Sequence, residues 1–198
     1  MTWLASPWVV VGAASLVAFF VGALSPATII ARALRGDLSQ GSGNPGATNA
    51  GRVLGLKWGV VVAVLDVAKG FVPTVLALLM LGRLVAYAVG GACVLGHIVS
   101  PYLRGRGGKG VATCLGAVLA VFPWLALAMV VVFALLLWRL RWVAGASVVC
   151  CLLLGLYAAA WPLPEPVLAG RVWGVGLALL VIGRHHANIR SWAGHRLG

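Results

Sequence analysis

Residues 111–138 read VATCLGAVLAVFPWLALAMVVVFALLLW, a stretch without a single Asp, Glu, Lys or Arg. A spanning helix needs about 20 apolar residues to cross a hydrocarbon core of about 30 Å. This stretch is too long for one upright span and short for two, and Pro123-Trp124 sits near its middle. If it runs through as one tilted helix, Arg139 and Arg141 fall outside the membrane. If it turns at Pro123, they fall inside together with Arg184, Arg190 and Arg196, which is where the positive-inside rule wants them. The turn is the better reading, and it makes the difference between seven spans and the runner-up, six.

The surrounding chain has the same character. Residues 1–31, 84–103 and 142–164 are also free of formal charge. Of 198 residues 62% are hydrophobic, 15 are basic and 3 acidic, and the mean hydropathy is +1.06. Soluble domains carry about a quarter charged residues because a water-facing surface requires them; this chain has 9%. The bilayer is therefore its solvent, and the expected fold is an all-α polytopic membrane protein. Runs such as Met129–Leu137 lack the polar alternation of a membrane β-barrel. The net charge of +12 reads as topology and not as nucleic-acid binding. Cys93, Cys114, Cys150 and Cys151 lie in apolar segments without metal-type spacing, as reduced packing residues do.

Placing the basic loops on one side orients the spans. The first apolar run, Trp3 to Leu24, ends at Ser25-Pro26 and leads into a Gly-rich loop with Arg32, Arg35, Arg52 and Lys57. The runs from Val53 to Gly82 and from Leu84 to Val99 return the chain to a second such loop with Arg104, Arg106 and Lys109. The N-terminus is then outside and the C-terminus cytoplasmic, with Pro162 to Pro166 as an external loop. Twelve of the 15 bases are cytoplasmic, Arg83 and Arg171 being external and Lys69 within a span. Glycines at 51, 55 and 59, and at 170 and 174, have the spacing of closely packed membrane helices. The whole chain, 1–198, reads as one domain.

Chemistry concentrates in three places. Gly41-Ser42-Gly43-Asn44-Pro45-Gly46-Ala47-Thr48-Asn49, followed by Arg52, and Gly105-Arg106-Gly107-Gly108-Lys109-Gly110 both satisfy GxGxxG. Neither follows a strand of a βαβ unit, so neither is a dinucleotide fingerprint, and Gly110 stands where a Walker loop needs Ser or Thr. What remains is the underlying physics: glycines let successive N–H groups line an anion nest. The second loop adds Lys109 and runs into a helix whose positive dipole end favours phosphate. The first adds Ser42, Thr48, Asn44, Asn49 and Arg52, whose guanidinium suits bidentate phosphate binding. The third place is the tail, Arg184-His185-His186-Ala187-Asn188-Ile189-Arg190. If it continues the last span as helix, His185 and Asn188 share a face. No cysteine or carboxylate cluster completes a metal site, so neither metal nor other cofactor is expected. Asp66 and Lys69, i and i+3 inside a span, read as a mutually neutralised pair or as substrate contacts. His97 stands between the same two roles.

GSGNPGATN with Arg52, LDVAKG at 65–70, GH at 96–97, GGKGVAT at 107–113 and RHxxNI at 184–189 occur in order along the chain. It resembles the PlsY family of bacterial membrane glycerol-3-phosphate acyltransferases, which take acyl-phosphate as donor. The resemblance implies acyl transfer to position 1 of sn-glycerol 3-phosphate, with release of lysophosphatidic acid and inorganic phosphate. It also implies a seven-span fold in a bacterial cell membrane, with the active site facing the cytoplasm. By resemblance, Ser42 and Arg52 are the essential pair of the first motif and Gly105 to Gly110 with Lys109 bind glycerol phosphate. His185 and Asn188 are polar contacts of the third motif, and Ser147 is the polar group left after Arg141-Trp142. The candidate catalytic residues are Ser42, Arg52, Lys109 and His185. The candidate substrate contacts are these four with Gly43, Asn44, Thr48, Asn49, Gly105, Gly107, Gly108, Gly110, Ser147 and Asn188. The tail Gly194-His195-Arg196-Leu197 lacks the glutamate common in the family, so a tail salt bridge is not expected.

Such a reaction suits these residues. Acyl-phosphate is already activated, so no covalent Ser or Cys intermediate is needed. The base is His185 or a phosphate oxygen of the substrate, and the scarcity of carboxylates favours the substrate. The partners are the two substrates and the bilayer, with no nucleic acid; a monomer is compatible with these residues, which do not fix the oligomeric state. The alternative is a transporter of phosphate or an organophosphate, which would show internal repeats and matched helix interruptions; the sequence has neither.

Overall fold

The structure is a computed structural model that describes the backbone of residues 6–197 and the side chains of residues 6–191. The start of the first apolar run at Trp3, and the tail side chains from Trp192 with Arg196 among them, lie outside the described residues. Every regular element among the described residues is helical. Five stretches are long and apolar enough to cross a membrane: Pro7–Ala33, Leu56–Leu81, Arg83–Leu103, Pro123–Leu140 and Val143–Ala160. Two shorter apolar helices, Val111–Val121 and Val167–Gly183, accompany them. The 111–138 stretch is therefore two helices. Phe122 leaves the helical backbone region (φ −132°, ψ 69°) and Pro123 takes the first helical position, where its missing N–H costs nothing. The chain forms two compact units, Met1–Val121 and Phe122–Gly198.

The first unit contains α1 (Pro7–Ala23), α2 (Pro26–Ala33), α3 (Ala47–Leu54), α4 (Leu56–Leu81), α5 (Arg83–Ile98) and α6 (Val111–Val121). The first basic loop is thus partly helical, contrary to its reading as plain loop. Ser25 caps α2, its Oγ accepting the Thr28 N–H at 3.3 Å. Gly55 (φ 95°) and Gly82 (φ 90°) let the chain reverse between α3 and α4 and between α4 and α5, a backbone region closed to most side chains. Gly51, Gly55 and Gly59 accordingly do not form a stripe on one helix. Gly51 packs face to face with Gly59 across the Gly55 hinge, and a Cβ on Gly59 would sit 2.7 Å from the Gly51 Cα.

Small residues set the helix spacing throughout this unit. A Cβ on Gly22 would collide with the Cys93 carbonyl, and one on Gly96 with that of Phe19, so α1 lies directly on α5. In the same way Gly70 meets the Thr113 carbonyl and Gly116 that of Val67, seating α6 on α4. Such contact maximises dispersion where lipid provides no hydrophobic drive between helices. At 11 residues, or about 16 Å, α6 is the shorter of the two short apolar helices. Large apolar side chains such as Leu16, Val64, Leu79 and Met80 are exposed around the unit, as lipid-facing residues are.

The second unit contains α7 (Pro123–Leu140), α8 (Val143–Ala160), α9 (Val167–Gly183) and α10 (His186–Leu197). A left-handed residue, Arg141 (φ 53°), ends α7. Gly174 of α9 is pressed against the Ala158 Cβ of α8. The tail does not continue the last span: α9 stops at Gly183 and α10 begins at His186, with Arg184 and His185 as the joint. All four cysteines are buried free thiols.

Candidate active site

Both Gly-rich loops emerge at one end of the first unit. The C-terminal end of α1 carries carbonyls with no helical partner, and residues from elsewhere in the unit satisfy them. Ser100, just past α5, donates its hydroxyl to the Ala23 carbonyl at 2.7 Å, and Lys69 of α4 donates to Leu24 at 2.6 Å. The exit from α1, which starts loop one, is thereby tied to the exit from α5, which starts loop two.

Loop one is organised by Asn49. This residue of α3 is 2% exposed. Its Oδ1 accepts the Ser42 N–H at 2.7 Å and its Nδ2 donates to the Leu38 carbonyl at 2.8 Å. Asn49, expected among the substrate contacts, uses one lone pair and one N–H of its amide to brace the loop backbone. Asp37 opens the short 3₁₀ turn Leu38–Gln40, accepting the Ser39 N–H at 2.9 Å and its hydroxyl at 2.6 Å. These two bonds hold the Asp37 carboxyl below the usual aspartate range. Beneath the loop, Ala27, Ala50 and Val62 form a core flanked by Ile30, Leu38, Ala47 and Leu54. Ser42, Gly43, Thr48 and Arg52 remain exposed, and Asn44 is half-buried. Thr48 and Arg52, i and i+4 on α3, share its outward face.

Loop two folds back along the end of α5. A 3₁₀ turn, Pro101–Leu103, is followed by left-handed Arg104 (φ 52°). The N–H groups of Gly105, Arg106, Gly107 and Gly108 then donate to the carbonyls of Ser100, Leu103, Ile98 and His97 at 2.9–3.1 Å. This corrects the expected nest, because four of its N–H groups are already used within the chain. Past these bonds the loop runs through Lys109 into the first turn of α6, which begins at Val111. Gly107, Gly108 and Gly110 are buried, Lys109 is half-buried, and Gly105, Arg104 and Arg106 are exposed. Arg32, Arg35, Arg52, Arg104 and Arg106 make no ion pair among the described residues. The end of the unit that carries both loops is therefore strongly positive.

Asp66 and Lys69 do pair, with Oδ1 and Nζ 2.8 Å apart and both side chains nearly buried. Sequence spacing could not supply the third member: His97, on α5, brings Nδ1 to 3.5 Å from the same oxygen.

In the second unit, Ser147 is buried and donates its hydroxyl to the Val143 carbonyl at 2.8 Å. His185 is 2% exposed, with Nδ1 2.8 Å from the Val181 carbonyl. That contact requires Nδ1 to carry the proton, so Nε2 is the basic nitrogen of the neutral ring. Asn188 lies in the first turn of α10, half-buried.

A family model described as glycerol-3-phosphate acyltransferase matches residues 12–194. The glycerol-3-phosphate acyltransferase of Syntrophotalea carbinolica is 38% identical over 185 residues, which is 88% of this chain and 90% of the relative. Among solved structures, an integral membrane glycerol 3-phosphate acyltransferase, PlsY (YgiH), in its glycerol 3-phosphate form superposes with a TM-score of 0.85 at 35% identity. The match covers 94% of this chain and 93% of that one. The lysophosphatidic acid form of PlsY superposes with a TM-score of 0.82 at 36% identity, with the same coverage.

Proposed function

The chain belongs to the glycerol-3-phosphate acyltransferase family, and on that premise we propose that it transfers an acyl group from acyl-phosphate to the 1-hydroxyl of sn-glycerol 3-phosphate. The products are 1-acyl-glycerol 3-phosphate and inorganic phosphate. This family membership favours an enzyme over the phosphate transporter weighed from the sequence. The observation that carries the reading is the pairing of two Gly-rich loops at one end of the first unit, with Arg52 on one and Lys109 on the other. Each substrate brings a phosphate. A site that binds two and releases one gains from cations and loses from nearby carboxylates.

The glycerol hydroxyl attacks the acyl carbon, the carbon–oxygen bond to phosphate breaks, and inorganic phosphate departs. The hydroxyl proton goes to a phosphate oxygen of the substrate, with His185 Nε2 as the alternative acceptor. No covalent enzyme intermediate is needed, since the donor is already activated. The protein's part is to position the two reactants and to stabilise charge on the oxyanion and the leaving phosphate. Arg52 and Ser42 serve loop one in this, and Lys109 with the first turn of α6 serves loop two. By family resemblance His185 and Asn188 contribute polar contacts. Gly43, Asn44, Thr48, Gly105, Gly107, Gly108 and Gly110 shape the loops around substrate, as Asn49 and Ser147 do through the backbone bonds they make.

The enzyme is a single acyltransferase domain over residues 1–198 in a bacterial cell membrane. Seven spans place the N-terminus outside and both loops in the cytoplasm, where water-soluble glycerol 3-phosphate is available. The acyl chain stays among the helices, in a medium as apolar as the bilayer. The test is acyl transfer by purified protein in lipid discs, given labelled glycerol 3-phosphate with either acyl-phosphate or an acyl thioester. Lysophosphatidic acid from acyl-phosphate alone is expected. Product from the thioester and none from acyl-phosphate would overturn the choice of donor.

A further inference from the structure

Asp66, Lys69 and His97 take no part in the reaction just described, yet they form a buried polar cluster inside a membrane protein. Asp66 is 1% exposed and His97 5%. Ionisable groups at such depth are expensive, and an apolar trio of the same volume would pack at least as well. The cluster touches both loops. Lys69 Nζ bridges Asp66 Oδ1 (2.8 Å) and the Leu24 carbonyl (2.6 Å), at the root of loop one. On its other side, Asp66 Oδ1 faces His97 Nδ1 at 3.5 Å.

The imidazole of His97 then reaches loop two. The His97 carbonyl accepts the Gly108 N–H at 3.1 Å, and its ring fills the space a side chain at 108 would need. A Cβ on Gly108 would run into His97 Nε2, with Cε1 at 2.9 Å and Cδ2 at 3.1 Å. Gly108 has no positive φ, so its backbone would accept alanine. The three heavy atoms that such a Cβ would approach most closely all belong to the ring. Gly108 is followed directly by Lys109 and the start of α6, so whatever sets the position of Gly108 sets theirs.

We infer that His97, oriented by Asp66, is a positioning residue that seats Gly108 and with it Lys109 against glycerol phosphate, while Lys69 holds the same carboxylate to the root of loop one. The inference rests on the reaction proposed above. It gives the buried pair a task that a neutral apolar core could not perform, namely fixing an imidazole plane beneath a loop that has no side chain of its own at that point.

The test compares the wild type, His97→Ala, Gly108→Ala and the double variant in lipid discs, reading KM for each substrate separately together with kcat. Gly108→Ala loses about a hundredfold in kcat/KM for glycerol 3-phosphate, the usual cost of a displacement on the order of 1 Å. His97→Ala opens the space that the new methyl needs. The double variant therefore recovers at least about tenfold over Gly108→Ala alone, with KM for acyl-phosphate unchanged. His97→Asn, which keeps a donor for Asp66, falls between His97→Ala and the wild type. A double variant whose loss is the product of the two single losses overturns the inference, and so does a loss shared equally by both substrates' KM. A wild type that makes no product fails before any variant is compared, and overturns the reaction itself.

Discussion

Replacing Asn49 by alanine removes two hydrogen bonds at once, to the Ser42 N–H at 2.7 Å and to the Leu38 carbonyl at 2.8 Å. Ser42 is exposed and Leu38 half-buried, so both backbone groups can turn to water once released. The appropriate figure is then the net worth of a bond, about 1 kcal/mol each, and not the larger penalty of an orphaned buried group. The pair comes to about 2 kcal/mol, close to a thirtyfold shift toward a loop that no longer holds Ser42 and Arg52 in register. The expected result of Asn49→Ala is a fall of about thirtyfold in kcat/KM, with the thermal midpoint in lipid discs almost unchanged because the helical core is untouched. Asn49→Asp fares no better, since it places a carboxylate oxygen opposite the Leu38 carbonyl. Gly41→Ala attacks the same bond from the other side, because its Cβ would collide with Asn49 Oδ1. An Asn49→Ala enzyme with wild-type kcat/KM would contradict the bracing role of Asn49, as would a loss that tracks global unfolding.

Three further outcomes follow from the fold. Gly116→Val drives a side chain into the Val67 carbonyl and lowers stability by about 1–3 kcal/mol, read as a lower thermal midpoint; an unchanged midpoint contradicts the packing of α6 on α4. Asp66→Asn leaves the Lys69 ammonium buried without its counter-charge and costs about 3–5 kcal/mol, most of which Asp66→Leu/Lys69→Met restores by removing both charges; a double variant less stable than Asp66→Asn contradicts the pairing. Because all four native cysteines are buried, a cysteine introduced at Pro123 stands out against a low labelling background. It should react with an impermeant maleimide from outside the cell, and labelling from the cytoplasm alone defeats the seven-span arrangement.

The helices were legible because bilayer and helix impose the same requirement, long charge-free runs whose ends carry prolines or bases. Pro123 marked the break after Phe122 because proline has no N–H to give an ongoing helix. The helical parts of the first basic loop were not legible. Residues 47–54 contain Asn49 and Gly51, poor helix formers, and α3 is held by the core of Ala27, Ala50 and Val62 that only the tertiary fold assembles. The glycines followed the same division. Their number announced close packing, but Gly22, Gly70, Gly96 and Gly116 each meet a carbonyl of another helix, which no spacing along one segment reveals.

In the candidate site, the residue types were visible and their commitments were not. Asn49 and Ser147 read as ligands, and only the structure shows that each also bonds to nearby backbone. Loop two read as a nest, but its return along α5 uses the N–H groups of Gly105 to Gly108. The tail read as one continuing helix, but it breaks at Arg184 and His185. The Asp66–Lys69 pair was legible from i, i+3 spacing on one helix. Its link to His97 joins α4 to α5 and exists only once those helices pack.

In the proposed reaction the acyl group passes directly between two bound phosphate compounds, with no acylated enzyme in between. Phosphorus NMR of the protein in lipid discs, supplied with acyl-phosphate and glycerol 3-phosphate, follows both products in one sample. Direct transfer predicts inorganic phosphate and lysophosphatidic acid in equal amounts at every time point, and no stoichiometric release of phosphate when glycerol 3-phosphate is left out. A burst of inorganic phosphate equal to the enzyme concentration, in the absence of glycerol 3-phosphate, would contradict it.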